Sequence, residues 1–385
     1  MKEGLEYIAL SSVCKVQNGF AFNSKLFNET NKGLPLIRIR DIKRGYSLTY
    51  TDEACSNDFY VEDGDMLIGM DGDFNIGEWK GGHALLNQRV CKLIPSDKIL
   101  AKFIFYFIPE ALQRINDKTA FSTVKHLSSK QVNAILLPNL PLSEQQSIVD
   151  YLDSAFAKID AMKANAEKRL NEAKALFQAS LKKMLEPKEG WEEKTLKETC
   201  SVITDGTHHS PVNTANGKYK YVTAKNIKPW GLDLRNITFV SEDVHKEIVS
   251  RCCPQKGDVL YIKDGATTGI AIVNPLDEEF SLLSSVALIR PNKNIMLSEY
   301  LCYALNSPSI YEQTRSQMDG AAITRVTLVK IKGFTIPLPP LSEQQSIVET
   351  LDSLKSKVDR LQANYEKISQ ECDALKQAIL RQVFE

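Results

Sequence analysis

Apolar side chains recur along the last forty-odd residues at Ile347, Leu351, Leu354, Val358, Leu361, Tyr365, Ile368, Cys372, Leu375 and Ile379. The spacing alternates four and three, the period of a coiled-coil seam, and predicts one long helix that packs along another. A leaner stripe with the same alternation passes through Ile148, Leu152, Ala155, Ile159, Met162 and Ala166, falters at Arg169, and resumes at Ala173 and Leu176. One seam is small and the other bulky, so the two helices are predicted to pair within one chain. Each covers about 40 residues, or ~60 Å at 1.5 Å per residue.

Both stripes begin in the same words. PLSEQQSIV occupies 141–149 and again 340–348, and the match extends to eleven of the thirteen residues in 141–153 and 340–352. Proline blocks continuation of an upstream helix because it has no N–H to donate. Ser143 and Ser342 then read as N-caps, Gln146 and Gln345 as the partners of a capping box, and Glu144 and Glu343 as acids at the positive end of the helix dipole.

The segments before each helix also correspond. GDML at 64–67, with Asp71-Gly72, matches GDVL at 257–260, with Asp264-Gly265; LIRIRDIK at 36–43 matches YVTAKNIK at 221–228. Short β-type runs alternate with Gly/Asp turns, and one helix is expected in each half, over 101–115 and 298–313. The predicted class is α+β: two mixed α/β domains in pseudo-twofold repeat, separated by two long antiparallel coiled-coil helices. The boundaries are 1–140, 141–187, 188–339 and 340–385. Antiparallel pairing is preferred because a parallel pair would force the second half to stretch back along a whole helix.

Composition narrows the class. No apolar run approaches the ~18 residues of a membrane span, and Glu3 and Glu6 interrupt the N-terminus where a signal peptide needs an apolar core. A cytoplasmic protein is expected. Eight scattered cysteines lack a CxxC pair, which points to packing residues, the vicinal Cys252-Cys253 included, and to no metal. Forty-eight basic residues balance forty-eight acidic ones, so any affinity for a polyanion must come from charge segregated onto one face.

Catalytic motifs are sparse. There is no glycine-rich cofactor loop, no Asn/Asp-Pro-Pro-aromatic motif and no GxxxxGK[ST] loop. Asp71 followed by Glu78-Trp79-Lys80 has the form of a Mg²⁺-holding nuclease set; the second half repeats Asp264-Gly265 without an E-x-K, which favours turn acids and a surface lysine. Asp65 and Asp258, each after a glycine, read as turn residues.

With its repeat and paired helices, the chain resembles the specificity subunits of type I restriction–modification systems. The resemblance covers the whole length and is carried by the two PLSEQQSIV helix starts, ITDGTHHSP at 203–211, TAKNI at 223–227 and GDVLYIKDGATTG at 257–269. The first half has QNGFAF at 17–22 where the second has TDGTHH, which implies a different target. The family resemblance implies two target-recognition domains, each reading half of a bipartite, gapped site in double-stranded DNA. Helices would set the gap and dock two methyltransferase subunits, with restriction/translocase subunits joining them. S-adenosylmethionine, ATP and Mg²⁺ would belong to those partners; this chain would bind no cofactor and catalyse nothing alone. A protein-binding coiled-coil scaffold and the self-contained nuclease of Asp71, Glu78 and Lys80 are the competing readings.

Base readout favours Arg or Lys on guanine and Asn or Gln on adenine, while Ser, Thr and Lys commonly hold phosphates. Candidates in the first half are Arg38, Arg40, Lys43, Arg44, Lys80, Gln88, Arg89, Lys125 and His126. In the second they are His208, His209, Lys225, Asn226, Lys228, Lys263, Thr267, Thr268, Ser284, Ser285 and Arg325. Each also reads as a solvated surface group, and the two histidines as a turn. Glu167, Lys168, Arg169 and Glu172 face either the methyltransferase or water.

Overall fold

The computed structural model describes residues 6–72, 74–118, 125–316 and 325–384. The chain forms two compact units, one of residues 1–165 with 367–385 and one of residues 166–366. Each is α+β, and each is built to one plan.

In the first unit a four-stranded antiparallel sheet runs in the order Cys14–Asn18, Val90–Pro95, Met66–Gly69, Asn75–Glu78. A second sheet is centred on the parallel pair Leu34–Ile37 and Ala84–Leu86. Tyr7–Ala9 pairs with Leu136–Pro138, so the start of the unit is tied to the strand that precedes its long helix. The second unit repeats all three features. Its antiparallel sheet is Cys200–Asp205, Val286–Pro291, Val259–Ile262, Ala271–Val273; its parallel pair is Tyr221–Val222 against Ser281–Leu282; and Glu192–Thr195 pairs with Thr335–Leu338.

The helix of the first unit spans Ala101–Lys118, three residues past the sequence expectation. The single helix expected over 298–313 is two, Ser298–Leu305 and Pro308–Ser316. Pro308 explains the break, because its ring disfavours helical backbone at the residue before it. Ser307 fills the gap, its Oγ donating to the Ala304 carbonyl at 2.6 Å.

Two long helices, Leu142–Met184 and Leu341–Phe384, follow the repeated prolines. Their start differs from the expected capping box. Glu144 N and Gln145 N both donate to the Pro141 carbonyl at 3.0 Å, and Glu343 N and Gln344 N to Pro340 at 2.9 Å. The prolines therefore occupy the cap position, and Ser143 and Ser342 lie inside the first turn. Gln146 and Gln345 bond one turn onward, to Asp150 and Glu349. The buried polar groups are the preceding glutamines. Gln145 Oε1 accepts from Leu100 N at 2.8 Å while its Nε2 donates to the Lys98 and Leu140 carbonyls. Gln344 does the same with Leu297 N and the Ile295 and Pro339 carbonyls. SEQQ is thus a bolt from the helix start into the loop after the central sheet.

Within each unit the long helices run antiparallel. Asp160 meets Lys376 at 2.6 Å and Lys163 meets Asp373 at 3.4 Å in the first unit. In the second, Lys174 meets Gln362 at 2.8 Å, and Leu181 and Leu185 share a core with Ile347, Val348 and Leu351. The first helix keeps the seven-residue repeat but in a corrected register. Leu152, Ile159, Ala166 and Ala173 turn inward as expected, and the alternate positions are Val149, Phe156, Lys163, Leu170 and Phe177, each one residue later than expected. Met162 is 58% exposed and Leu176 61%, whereas Leu170 is buried, which removes the apparent fault at Arg169. Ile148 is half-buried against the first core. In the second helix Ile347 and Leu351 are buried and Leu354, Val358, Leu361, Ile368 and Ile379 half-buried. Leu375, at 47% exposure, leaves the seam; Lys376 takes its place with its ammonium 5.3 Å from the Phe156 ring.

Leu170→Ala is expected to cost about 2–4 kcal/mol and Met162→Ala less than ~0.5, because only the first opens a cavity. Urea unfolding of the two variants checks this, and the reverse order would mean that Met162 and not Leu170 lies in the seam.

Candidate nucleic-acid interface

In each unit one end of the central sheet is bolted to the long helix through the loop just described. The other end gathers loops from distant parts of the sequence. In the second unit four backbone bonds fix them: Thr207 N to Leu282 O at 2.8 Å, Ser284 N to Thr207 O at 2.8 Å, Lys263 N to Ser285 O at 3.0 Å and Val326 N to Lys263 O at 2.9 Å. The first unit repeats them one for one: Phe20 N to Leu86 O at 2.9 Å, Gln88 N to Phe20 O at 2.7 Å, Met70 N to Arg89 O at 2.9 Å and Leu127 N to Met70 O at 2.7 Å. Gly19 and Gly206 are equivalent in this frame. A Cβ at either would overlap a backbone carbonyl oxygen, of Asn87 or Leu282, so NG and DG mark the same close crossing in two otherwise different sequences.

The side chains on the frame differ. On the first edge Asp71 accepts from His126 Nδ1 at 2.6 Å and faces Arg89 Nε at 3.4 Å. Arg89 has φ +76°, a left-handed backbone uncommon for a residue with a side chain and often found at functional sites. Gln88 is exposed beside it. Arg38, the cap residue of the short helix Ile39–Ile42, and Arg40 within that helix are exposed, and Ile39 packs over Gly69 close to Asp71. Lys125 Nζ donates to the Asn116 carbonyl at the end of the helix Ala101–Lys118.

On the second edge Asp205 is buried and takes Arg251 at 2.8 Å, Lys263 at 3.4 Å and His208 at 3.4 Å. Asp264 takes Lys263 at 3.3 Å and grips Arg325 through both oxygens. Lys263 is only 4% exposed. Its charge is tolerable there because two carboxylates surround it, and it supports the edge from inside instead of reaching outward. His209 and Lys225 are exposed, and the Ser285 Oγ accepts from Ala224 N at 3.3 Å.

Several sequence candidates have structural duties. Asn226 is buried and closes the turn at Thr223, with its Nδ2 on the Asp233 carbonyl; Asp41, its first-unit counterpart, receives Arg38 N and the Arg44 guanidinium. Thr268 is buried, its Oγ1 donating to the Gly265 carbonyl at 2.7 Å, while Thr267 is exposed and Ser284 buried. Lys80 follows Glu78, which opposes Met66 at the far end of the hairpin from Asp71. Lys43 and Arg44 lie with it, Lys80 N donating to the Gly45 carbonyl. Lys228 belongs to a separate hairpin, Ile227–Lys228 with Gly231–Leu232. Arg251 is the edge cation that sequence reasoning missed, because it ends the amphipathic helix Glu242–Arg251 and only folding carries it to Asp205.

The same geometry separates the Asp71–Glu78–Lys80 set: the hairpin places Glu78 some five residues, ~15 Å, from Asp71, which is already engaged by His126 and Arg89. Among the described residues no cluster of three or more His, Cys, Asp or Glu side chains is positioned to hold a metal. Asp65 and Asp258 do serve turns, accepting from Glu62 N and Gln255 N, and each also binds the neighbouring strand, at Lys92 and Arg290. Burial pushes the thiols of Cys14 and Cys200 up to about 11 and those of Cys91 and Cys252 to about 12, which keeps them protonated packing groups at neutral pH. No helix among the described residues is long and apolar enough to cross a membrane.

The family model described as "Type I restriction modification DNA specificity domain" matches residues 2–172 and again 188–370. The chain belongs to the type I DNA specificity family. It is 30% identical to the type I restriction enzyme EcoBI specificity subunit of Escherichia coli, over 98% of this chain and 85% of that one. It is 23% identical to the MjaVIII specificity subunit of Methanocaldococcus jannaschii, over 81% and 77%. Among solved structures, the fold is similar to a chain from a study of assembly and conformational transition in a type I restriction–modification system (TM-score 0.73, 20% identity, 100% of this chain and 98% of that one). It is also similar to the HsdS subunit from Thermoanaerobacter tengcongensis (TM-score 0.57, 19% identity, 100% and 97%). The two family matches coincide with the two copies of the edge frame, so each specificity domain owns one edge.

Proposed function

We propose that the chain is the DNA-reading subunit of a type I restriction–modification complex, without catalysis of its own. Each edge reads one half of a bipartite site in duplex DNA. The long helices set the interval between half-sites and dock two methyltransferase subunits, to which restriction/translocase subunits add. S-adenosylmethionine, ATP and Mg²⁺ belong to those subunits.

One observation carries this reading. A single backbone frame occurs twice and bears different exposed groups: Arg38, Arg40, Gln88, Arg89 and His126 on one copy, His208, His209, Lys225, Arg251 and Arg325 on the other. An equal frame with unequal side chains suits two readers presented with two different short sequences. Although the chain as a whole carries no net charge, exposed cations stand at each edge.

Base-resolution methylome sequencing of cells carrying the subunit with its methyltransferase is the test. The expected motif is asymmetric and gapped, and Arg89→Ala with Gln88→Ala should relax one half-site only. Relaxation of both halves would overturn the assignment of one edge to one half-site. Binding to duplex that does not weaken with added salt would favour a protein scaffold instead.

A further inference from the structure

Resting on the reading above, we infer that Arg325 is the guanine-reading side chain of the second specificity domain, aimed by Asp264. Arg325 Nε donates to Asp264 Oδ1 at 2.9 Å and its Nη2 to Oδ2 at 3.3 Å, and the two residues also form a backbone bridge. Asp264 is fixed in turn by Lys263, whose ammonium is fixed by buried Asp205. The fork therefore has one orientation, and its side chain is 56% exposed.

A guanidinium carries five N–H groups in a plane. Two are taken by Asp264, and the remaining edge offers donors only. Guanine presents two acceptors, O6 and N7, on its major-groove edge; adenine presents one acceptor and one donor, so a donor-only edge loses a bond there and meets an N–H. A phosphate contact is disfavoured by the same geometry, because the Asp264 carboxylate that orients the guanidinium repels a phosphate beside it and cancels its charge. An arginine meant for the backbone gains nothing from such a partner, whereas one meant for a base edge gains a fixed direction.

The first domain supplies a second, independent instance of the device. Asp71 occupies the position of Asp264 and forms the same antiparallel bridge, to His126. It holds His126 at 2.6 Å and Arg89 at 3.4 Å. The holding acid is thus repeated and the held group changed, which is how one frame acquires two specificities.

The test uses the complex with its methyltransferase and duplexes carrying each base pair in turn across the second half-site. The wild-type complex should require at least one G·C pair there. In Arg325→Ala discrimination at that pair should fall about 10- to 100-fold, with other positions of the second half-site retained. Asp264→Asn should lower discrimination at the same pair. Replacing that guanine by 7-deazaguanine, which lacks N7, should cost the wild type most of this factor and cost Arg325→Ala nothing further. The wild-type arm compares two DNAs on one folded protein, so it stands even if a variant folds poorly. A second half-site without a G·C pair overturns the inference, as does a uniform loss across all sequences with a smaller salt slope, the mark of a phosphate contact. A wild-type complex that methylates no gapped motif would overturn the functional reading itself. A gapped motif whose second half is untouched by the Arg325 variants would overturn only this inference.

Discussion

Truncating Leu380 and Phe384 together to alanine is expected to unfold the first unit, although both residues lie at the other end of the sequence from most of it. Leu380 and Phe384 are buried in the core formed by the helix Ala101–Lys118 and the sheet beside it. The Phe384 ring stands edge-on to Phe103 at 5.6 Å and to Phe107 at 5.3 Å. Phe→Ala in a core costs about 3–5 kcal/mol and Leu→Ala about 2–5, against a total stability of about 5–15 for a typical domain. Hydrogen exchange should show amide protection lost across 103–112 and kept across 259–262 and 300–305. Protection retained at 103–112 would mean that the first core closes without the last helical turns.

Gln344→Leu is the second large effect. The side chain is nearly isosteric, so volume is conserved, but Leu297 N and the Ile295 and Pro339 carbonyls lose their partner in a buried place. Each unsatisfied group costs about 1–3 kcal/mol, and a loss of about 4 kcal/mol is expected. Urea unfolding measures it, and a change below ~1 kcal/mol would show that water replaces the amide. Gln145→Leu should behave alike in the first unit, since the three bonds are repeated there.

These two effects differ in how far the sequence announced them. The repeat of SEQQ was plain, yet its capping reading assigned the wrong glutamine. A capping box is a local pattern, and Gln146 fits it by spacing alone. The bond that matters joins Gln145 to Leu100, forty-five residues away, and no local rule contains that distance. The heptad seam failed in the same way at Met162, Leu176 and Leu375, which are exposed. Met162 and Leu170 are both apolar and both at an acceptable spacing; the partner helix decides between them, and with Leu170 inward the alternating interval starts one residue later.

For the edge, residue types were legible and companionship was not. Arg89, His126 and Arg325 were nameable from their chemistry, but so were Lys80 and Lys228, which lie elsewhere. Asp71 and Asp264 read as turn acids, and their grip on a cation across 55 and 61 positions appeared only on folding. Arg251 carried no signal at all until its helix brought it to Asp205.

The sequence by itself determined the duplicated plan, the α+β class, the two long helices and the family, because these depend on periodicity and repetition, which are properties of order along the chain. Tertiary structure decided which apolar residue of each pair turns inward, which glutamine bolts the helix, and which cations meet at one edge. Those choices depend on what lies opposite each side chain, and opposition is set by strand register and helix pairing between segments far apart in the chain.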